Sequence, residues 1–165
     1  MRQDKLTTKF QEALSDAQSL ALANDNGYIE PVHLLAAMLK QDDGPRAMLE
    51  KAGVNAAGLE ISAQAAIKKL AQVQGQEQIS VSSDLAKLLQ ATEKEAIKRN
   101  DQFVAGELYL LAVADSKSDI GKIAKENGLT RKSLEAAINA VRGGEKMDSA
   151  EGDFRQLRQG CRFLP

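Results

Sequence analysis

Tyr28-Ile29-Glu30-Pro31-Val32-His33-Leu34-Leu35-Ala36-Ala37 decides how this chain is read, because its pattern returns as Phe103-Val104-Ala105-Gly106-Glu107-Leu108-Tyr109-Leu110-Leu111-Ala112. Ile29 and Val104 are equivalent, which sets the offset (104 − 29 = 75). The same offset pairs Leu6-Thr7-Thr8 with Val81-Ser82-Ser83, Leu14 with Leu89, and Ala21 with Ala96. It also pairs Gly53 with Gly128 and Leu59-Glu60 with Leu134-Glu135. One register that runs without a gap through both halves marks an internal repeat.

Within each unit the apolar spacing is helical. Phe10, Leu14, Ala17 and Ala21 recur at three and four residues and share one helical face, as do Leu85, Leu89 and Ala96. Leu34, Leu35, Met38 and Leu39 form a short buried helix opened by Pro31, a residue suited to the first helical position. Asn24 to Gly27 and Arg99 to Gln102 read as turns, because Asn, Asp and Gly accept the dihedrals that end a helix. Gly53 and Gly128 read as helix C-terminal glycines, each followed by a capping residue, Asn55 or Thr130. Sustained period-two alternation is missing. These signals predict an all-α fold of two tandem four-helix repeats, about 1–71 and 79–144, in pseudo-two-fold arrangement. The polar stretch Gln72 to Gln78 joins them, and the seam between them is a place for a binding groove. Residues 145–165 have no counterpart in the first unit and read as a flexible tail or linker. Phe154, Leu157, Cys161 and Leu164 there have amphipathic spacing, interleaved with arginines.

Composition narrows the function classes. The 165 residues carry 22 Lys+Arg against 23 Asp+Glu, a formal charge of −1, which argues against nucleic-acid or anionic-membrane binding. No apolar run is long enough to span a bilayer, and the N-terminus lacks the apolar core of a signal peptide, so the cytoplasm is the expected location. One cysteine and one histidine exclude an internal disulfide and every two-histidine metal motif. Phosphate-loop, nucleophile-elbow and dinucleotide motifs are all absent. Glu93 and Glu95 alternate with lysines, the pattern of a solvated helix face. Nothing in these features asks for catalysis, and a binding module is expected; a stand-alone helical enzyme or ligand carrier, with a deep pocket lined by converging carboxylates, is the rival from another class.

A family likeness adds to this. Leu6-Thr7, Lys9 to Leu14 and Ala17 to Ala21 closely resemble the start of the ClpB disaggregase family. Ile29 to Leu35 resembles the first Clp repeat of that family, and Lys98 to Phe103 followed by Glu107 to Ala112 resembles its second. The resemblance covers about residues 1–144, the expected domain, and stops short of the ATPase modules that such proteins carry. It implies a substrate-engaging domain that contacts exposed apolar segments of unfolded or aggregated polypeptides and works with the DnaK system. ATP would be bound only by the absent modules of a hexameric parent, and the isolated domain would be monomeric. Related ClpA and ClpC domains imply an alternative, the docking of adaptor proteins.

Carried over by motif position, the resemblance places polar substrate-engaging residues at Thr7, Asp101 and Glu107, and apolar groove walls at Leu89 and Leu108. Each has a plainer role beside it. Thr7 opens the first helix, where capping accounts for it, and its mate Ser82 can do the same. Asp101 fits a turn, and Glu107 fits a helix start, where the dipole favours a carboxylate. Their mates are Asn26 and Val32, so the repeat does not demand an acid at either place, which favours function. Leu89 matches Leu14, for which packing is the simpler role. Leu108 matches His33, so partial exposure beside the two acids is expected. His33 reads as a surface or satisfied core histidine, and Cys161 as a passive thiol. The expected mechanism is ATP-independent capture, with apolar contacts in the seam and Asp101 and Glu107 discriminating at its rim.

Overall fold

Three helices of each half begin where the repeat register puts them. In the computed structural model, which describes residues 2–75 and 78–152, the first half contains α1 (Thr8–Ala23), α2 (Pro31–Lys40), α3 (Arg46–Lys51) and α4 (Ala56–Lys68). The second contains α5 (Ser83–Lys98), α6 (Gly106–Asp115), α7 (Asp119–Glu126) and α8 (Arg131–Arg142). Helices α1, α2 and α4 start one repeat period before α5, α6 and α8, since 83 − 8, 106 − 31 and 131 − 56 give the same difference. Capping chemistry explains the agreement for α1 with α5 and α4 with α8, because a helix starts where a side-chain oxygen can take up an orphan backbone N–H. Thr7 Oγ1 accepts from the Phe10 N–H at 3.2 Å, and its mate Ser82 Oγ accepts from the Leu85 N–H at 3.1 Å. Asn55 and Thr130 cap α4 and α8 in the same way, at 3.0 and 3.2 Å. The turns repeat as well: Asp25 and Asn100 are left-handed, at φ 55° and 59°.

The two repeats are tied together by an exchange. Strand β1 (Tyr28–Ile29) pairs in parallel with β2 (Ser80–Val81), and Leu6 forms a parallel bridge with Val104. The repeat register makes Val81 the mate of Leu6 and Ile29 the mate of Val104, so the two pairings are images of one another. Each repeat gives its leading extended residue to the other. The Thr7 N–H donates to the Val104 carbonyl and the Ser82 N–H to the Ile29 carbonyl, both at 3.0 Å. This reciprocal exchange defines the pseudo-two-fold relation.

The core sits on the apolar short helices. Residues Pro31 to Leu39 of α2 and Glu107 to Val113 of α6 are all buried. Tyr109 crosses between the repeats: its hydroxyl donates to the Pro31 carbonyl at 3.0 Å, and its ring meets Phe10 edge-on, with centroids 6.4 Å apart. Its exposure is 0%, and burial raises its pKa well above the usual tyrosine range.

The segment after α8 departs from the expected tail. Gly143 and Gly144 are both left-handed, at φ 57° and 88°, a pair of conformations that residues with a Cβ rarely adopt. They turn the chain back, and Met147 becomes fully buried. The Met147 N–H donates to Asp101 Oδ1 at 3.0 Å, while its carbonyl accepts from the Gln102 and Phe103 N–H groups, both at 2.9 Å. The Thr8 N–H then donates to the Ala150 carbonyl at 2.9 Å. A counterpart exists in the first unit after all. Gln72, the mate of Met147, bridges Asn26, the mate of Asp101. Asn26 Nδ2 also donates to the Ala71 carbonyl at 3.2 Å. The likeness escapes the sequence because backbone groups make most of these contacts. Phe154, Leu157, Cys161 and Leu164 lie outside the described residues.

Candidate functional site

A groove of about 470 Å3 lies over α1, α5 and the exchanged strands. Its apolar lining is Leu6, Leu14, Ile29, Val81, Ala86 and Leu89, and its polar lining is Gln3, Gln11, Ser15, Gln18 and Gln90. Among the described residues, no charged side chain lines it. Leu6 and Val81, Leu14 and Leu89, Gln11 and Ala86, and Ser15 and Gln90 are repeat mates, so most of the lining comes in pairs, one residue from each unit. Leu14 and Leu89 are half-buried, at the edge of helical faces whose centres, Ala17 and Leu85, are closed to solvent. That geometry lets them pack against the core (both touch it) and still offer methyl groups to the groove. The chemistry available here is apolar contact framed by amides, which donate and accept without imposing a charge.

Of the five residues carried over by resemblance, the structure brings only Leu89 into this groove. Leu108 has an exposure of 0% and belongs to the core, which corrects the expected partial exposure. Its mate His33 is equally buried. Nε2 of that imidazole lies 2.8 Å from Asn26 Oδ1, and Nδ1 accepts from the Glu30 N–H at 2.8 Å. His33 is thus the satisfied core histidine, and burial lowers its pKa from 6.5 to about 4. Thr7 is buried and caps α1.

Asp101 and Glu107 stand away from the groove lining, so the expected rim placement is also corrected. Both are paired with Arg142, the last residue of α8. Asp101 Oδ2 accepts from Arg142 Nη1 at 2.7 Å, and Glu107 Oε1 accepts from Arg142 Nε at 2.7 Å. Side-chain exposures are 0%, 7% and 4% for Asp101, Glu107 and Arg142. Burial works against the Arg142 charge, and Glu107 and Asp101 more than offset it, so its pKa stands above the ordinary guanidinium value. The repeat mates of this triad are Asn26, Val32 and Ile67. An arginine in place of Ile67 therefore calls for two acids where the first repeat needs none. The asymmetry that favours a functional role from sequence has a packing cause. Arg142 was the missing signal: a cation in register with an apolar core residue.

Glu95 corrects a further expectation. It is 7% exposed, not solvated, and pairs with Arg131 at 2.8 Å. Its hydrogen bond from Arg131 lowers its pKa despite burial. Among the described residues, no group of three or more His, Cys, Asp or Glu could hold a metal ion, and no helix is long and apolar enough to cross a membrane.

Comparison with known proteins places this geometry. Residues 5–127 match the model of the Clp repeat (R) N-terminal domain family. The chaperone protein ClpB of Vibrio cholerae is 41% identical over 161 residues, covering 96% of this chain and 19% of the relative. ClpB of Pseudomonas putida is 41% identical over 155 residues, covering 93% of this chain and 18% of the relative. The chain thus spans about a fifth of the length of these relatives. Among solved structures, the Hsp104 N-terminal domain from Candida albicans superposes with a TM-score of 0.77 at 22% identity, covering 90% of this chain and 99% of that one. A complex of the ClpV N-domain with a VipB peptide has a TM-score of 0.65 at 21% identity, covering 86% of this chain and 89% of that one. At these identities the two structures share the fold.

Proposed function

The chain belongs to the Clp repeat N-terminal domain family, and from that membership we propose that it captures exposed apolar segments of unfolded or aggregated polypeptides in the groove between α1 and α5. One observation carries this reading: the groove sets six apolar residues among uncharged polar ones, with no charged lining residue among those described, and draws most of its lining from paired positions of the two repeats. A segment rich in Leu, Val or Ala loses water there without a charge being buried. Glutamines along the lining accept varied backbones, which suits a site for many sequences rather than one.

Affinity is modest in this reading, because a groove of about 470 Å3 covers only a few side chains and the captured segment must be ordered. Release then needs no chemistry in this domain. The ATP-driven step, collaboration with DnaK, a hexameric parent, a monomeric isolated domain and a cytoplasmic location all belong to the proposal, as extensions of the likeness to ClpB. Leu89 is proposed as a substrate contact, joined by Leu14. Thr7, Asp101 and Glu107 act through the fold while their side chains are engaged as described.

The test is a titration of fluorescently labelled, permanently unfolded polypeptide against the wild-type chain and Leu14→Asp/Leu89→Asp. Two carboxylates in a charge-free groove should weaken binding at least tenfold with helicity unchanged. Equal affinity of the two folded proteins would remove the groove from the reading. A second reading, docking of one folded partner, draws on the common fold with a ClpV N-domain solved in complex with a VipB peptide. It predicts that a pulldown retains a single folded protein and not unfolded chains.

A further inference from the structure

Residues 145–152 lie on the body as a peptide ligand would. The contacts are backbone to backbone, with the Gln102 and Phe103 N–H groups donating to the Met147 carbonyl and the Thr8 N–H donating to the Ala150 carbonyl. One carboxylate, Asp101, accepts the Met147 N–H at 3.0 Å, and one apolar side chain, Met147, fills a closed slot. At the far end Thr8 Oγ1 donates to Glu151 Oε1 at 2.6 Å. Backbone bonds with a single apolar anchor are satisfiable by many extended sequences, as in other cases of strand-like peptide recognition.

We propose that this segment is a releasable strap, occupying in cis a second strip that binds extended polypeptide from other chains. The proposal rests on the reading that the domain binds unfolded polypeptide, and it adds a regulated site apart from the α1–α5 groove. Three features support it. The strip presents the first N–H of α1 and two N–H groups of the turn before α6, donors that need an acceptor whether or not the strap supplies it. The strap enters through two left-handed glycines, whose soft backbone makes a natural hinge. Finally, Asp101 serves both Arg142 and the strap. The carboxylate stays held by Arg142 when the strap leaves, so the strip keeps its shape for an incoming segment. The fitting partner is an extended stretch with one unbranched or γ-branched apolar residue, such as Met or Leu, at the Met147 position.

The experiment uses the full chain with Met147→Asp, which places a carboxylate in a closed slot beside Asp101 and should expel the strap while leaving the triad residues intact. The probe is a fluorescein-labelled peptide with the sequence of positions 144–152. Expected results are at least tenfold faster hydrogen exchange at the Gln102 and Phe103 amides, unchanged protection of the helices, and at least tenfold tighter binding of the peptide than to wild type. A peptide carrying Met147→Asp should bind neither protein. If the variant loses helicity, Met147→Ala makes the same measurement with less disturbance. Exchange that does not change in either variant would show that the strap is fixed structure, and a released strap without peptide binding would show that the strip is no polypeptide site. Either outcome overturns the proposal. Separate titration of the α1–α5 groove variants keeps this result distinct from failure of the proposed function.

Discussion

The carboxylate of Asp101 and the guanidinium of Arg142 meet at 2.7 Å with 0% and 4% of their side chains exposed, at positions where the first repeat holds Asn26 and Ile67. An amide and a methyl-bearing side chain at one end of the pseudo-two-fold correspond to an ion pair at the other. The surrounding helices α1, α2 and α4 correspond in register to α5, α6 and α8, so the difference is an experiment in core polarity carried within one chain.

Truncating one member should be costly. Asp101→Ala leaves Arg142 short of a buried partner and the Met147 N–H without its acceptor, and should lower stability by about 3–5 kcal/mol. Installing the first repeat's set, Asp101→Asn, Glu107→Val, Leu108→His and Arg142→Ile together, should cost far less than the single change. Urea unfolding followed by circular dichroism gives both values. A fourfold variant less stable than Asp101→Ala would refute the equivalence of the two sites.

Thr7 and Ser82 cap equivalent helices and should respond alike. Replacing either with alanine should cost about 0.5–2 kcal/mol, while Thr7→Ser keeps the acceptor oxygen and should recover most of the loss. Unequal losses from Thr7→Ala and Ser82→Ala would indicate that one of them does more than cap.

His33 should make the domain sensitive to mild acid. Its pKa falls from 6.5 unfolded to about 4 in the fold, so the unfolded state binds the extra proton between those values. Stability from this group is complete above pH 6.5, declines as pH falls through that window and is lost near pH 4, by about 3 kcal/mol in all. Protonating Nδ1 also removes the acceptor for the Glu30 N–H. His33→Leu, the residue of the second repeat, should flatten the decline between pH 6.5 and about 5 in denaturant titrations. A slope that survives this substitution must come from other groups.

Tyr109 joins the repeats through one hydroxyl. Tyr109→Phe leaves the Pro31 carbonyl without its buried partner and should cost about 1–3 kcal/mol, with little change in groove affinity. Leu108→Ala should cost about 2–5 kcal/mol because it empties a closed site, whereas Leu89→Ala, at a half-buried position, should cost less and weaken polypeptide binding more. Thermal unfolding together with the unfolded-polypeptide titration separates the two effects.

The elements most legible in the sequence were those written twice. Helix starts at Thr8 and Ser83, the turns at Asp25 and Asn100, and the glycines at 53 and 128 are each fixed by local side-chain or dihedral chemistry, and the repeat states them in duplicate. Leu89 was legible as a groove residue only through family likeness, because its spacing marks it as core and the structure makes it both. Asp101, Glu107 and Leu108 were harder. Their surroundings depend on Arg142, far along the chain at the end of α8, and no local pattern links a turn to the end of a distant helix. The strap is illegible for a similar reason: its contacts are carried by backbone groups that every residue possesses.

The exchange of Leu6 and Val81 between the repeats bears on how the domain comes into being. Leu6 finds Val104 across much of the chain, so the first repeat remains unfinished until the second has been made. A half-chain alone would leave its extended residue without the partner that the other half supplies, so the exchange couples the two halves. A chain emerging slowly from synthesis would therefore complete the pairing of Leu6 only when its own second copy arrives.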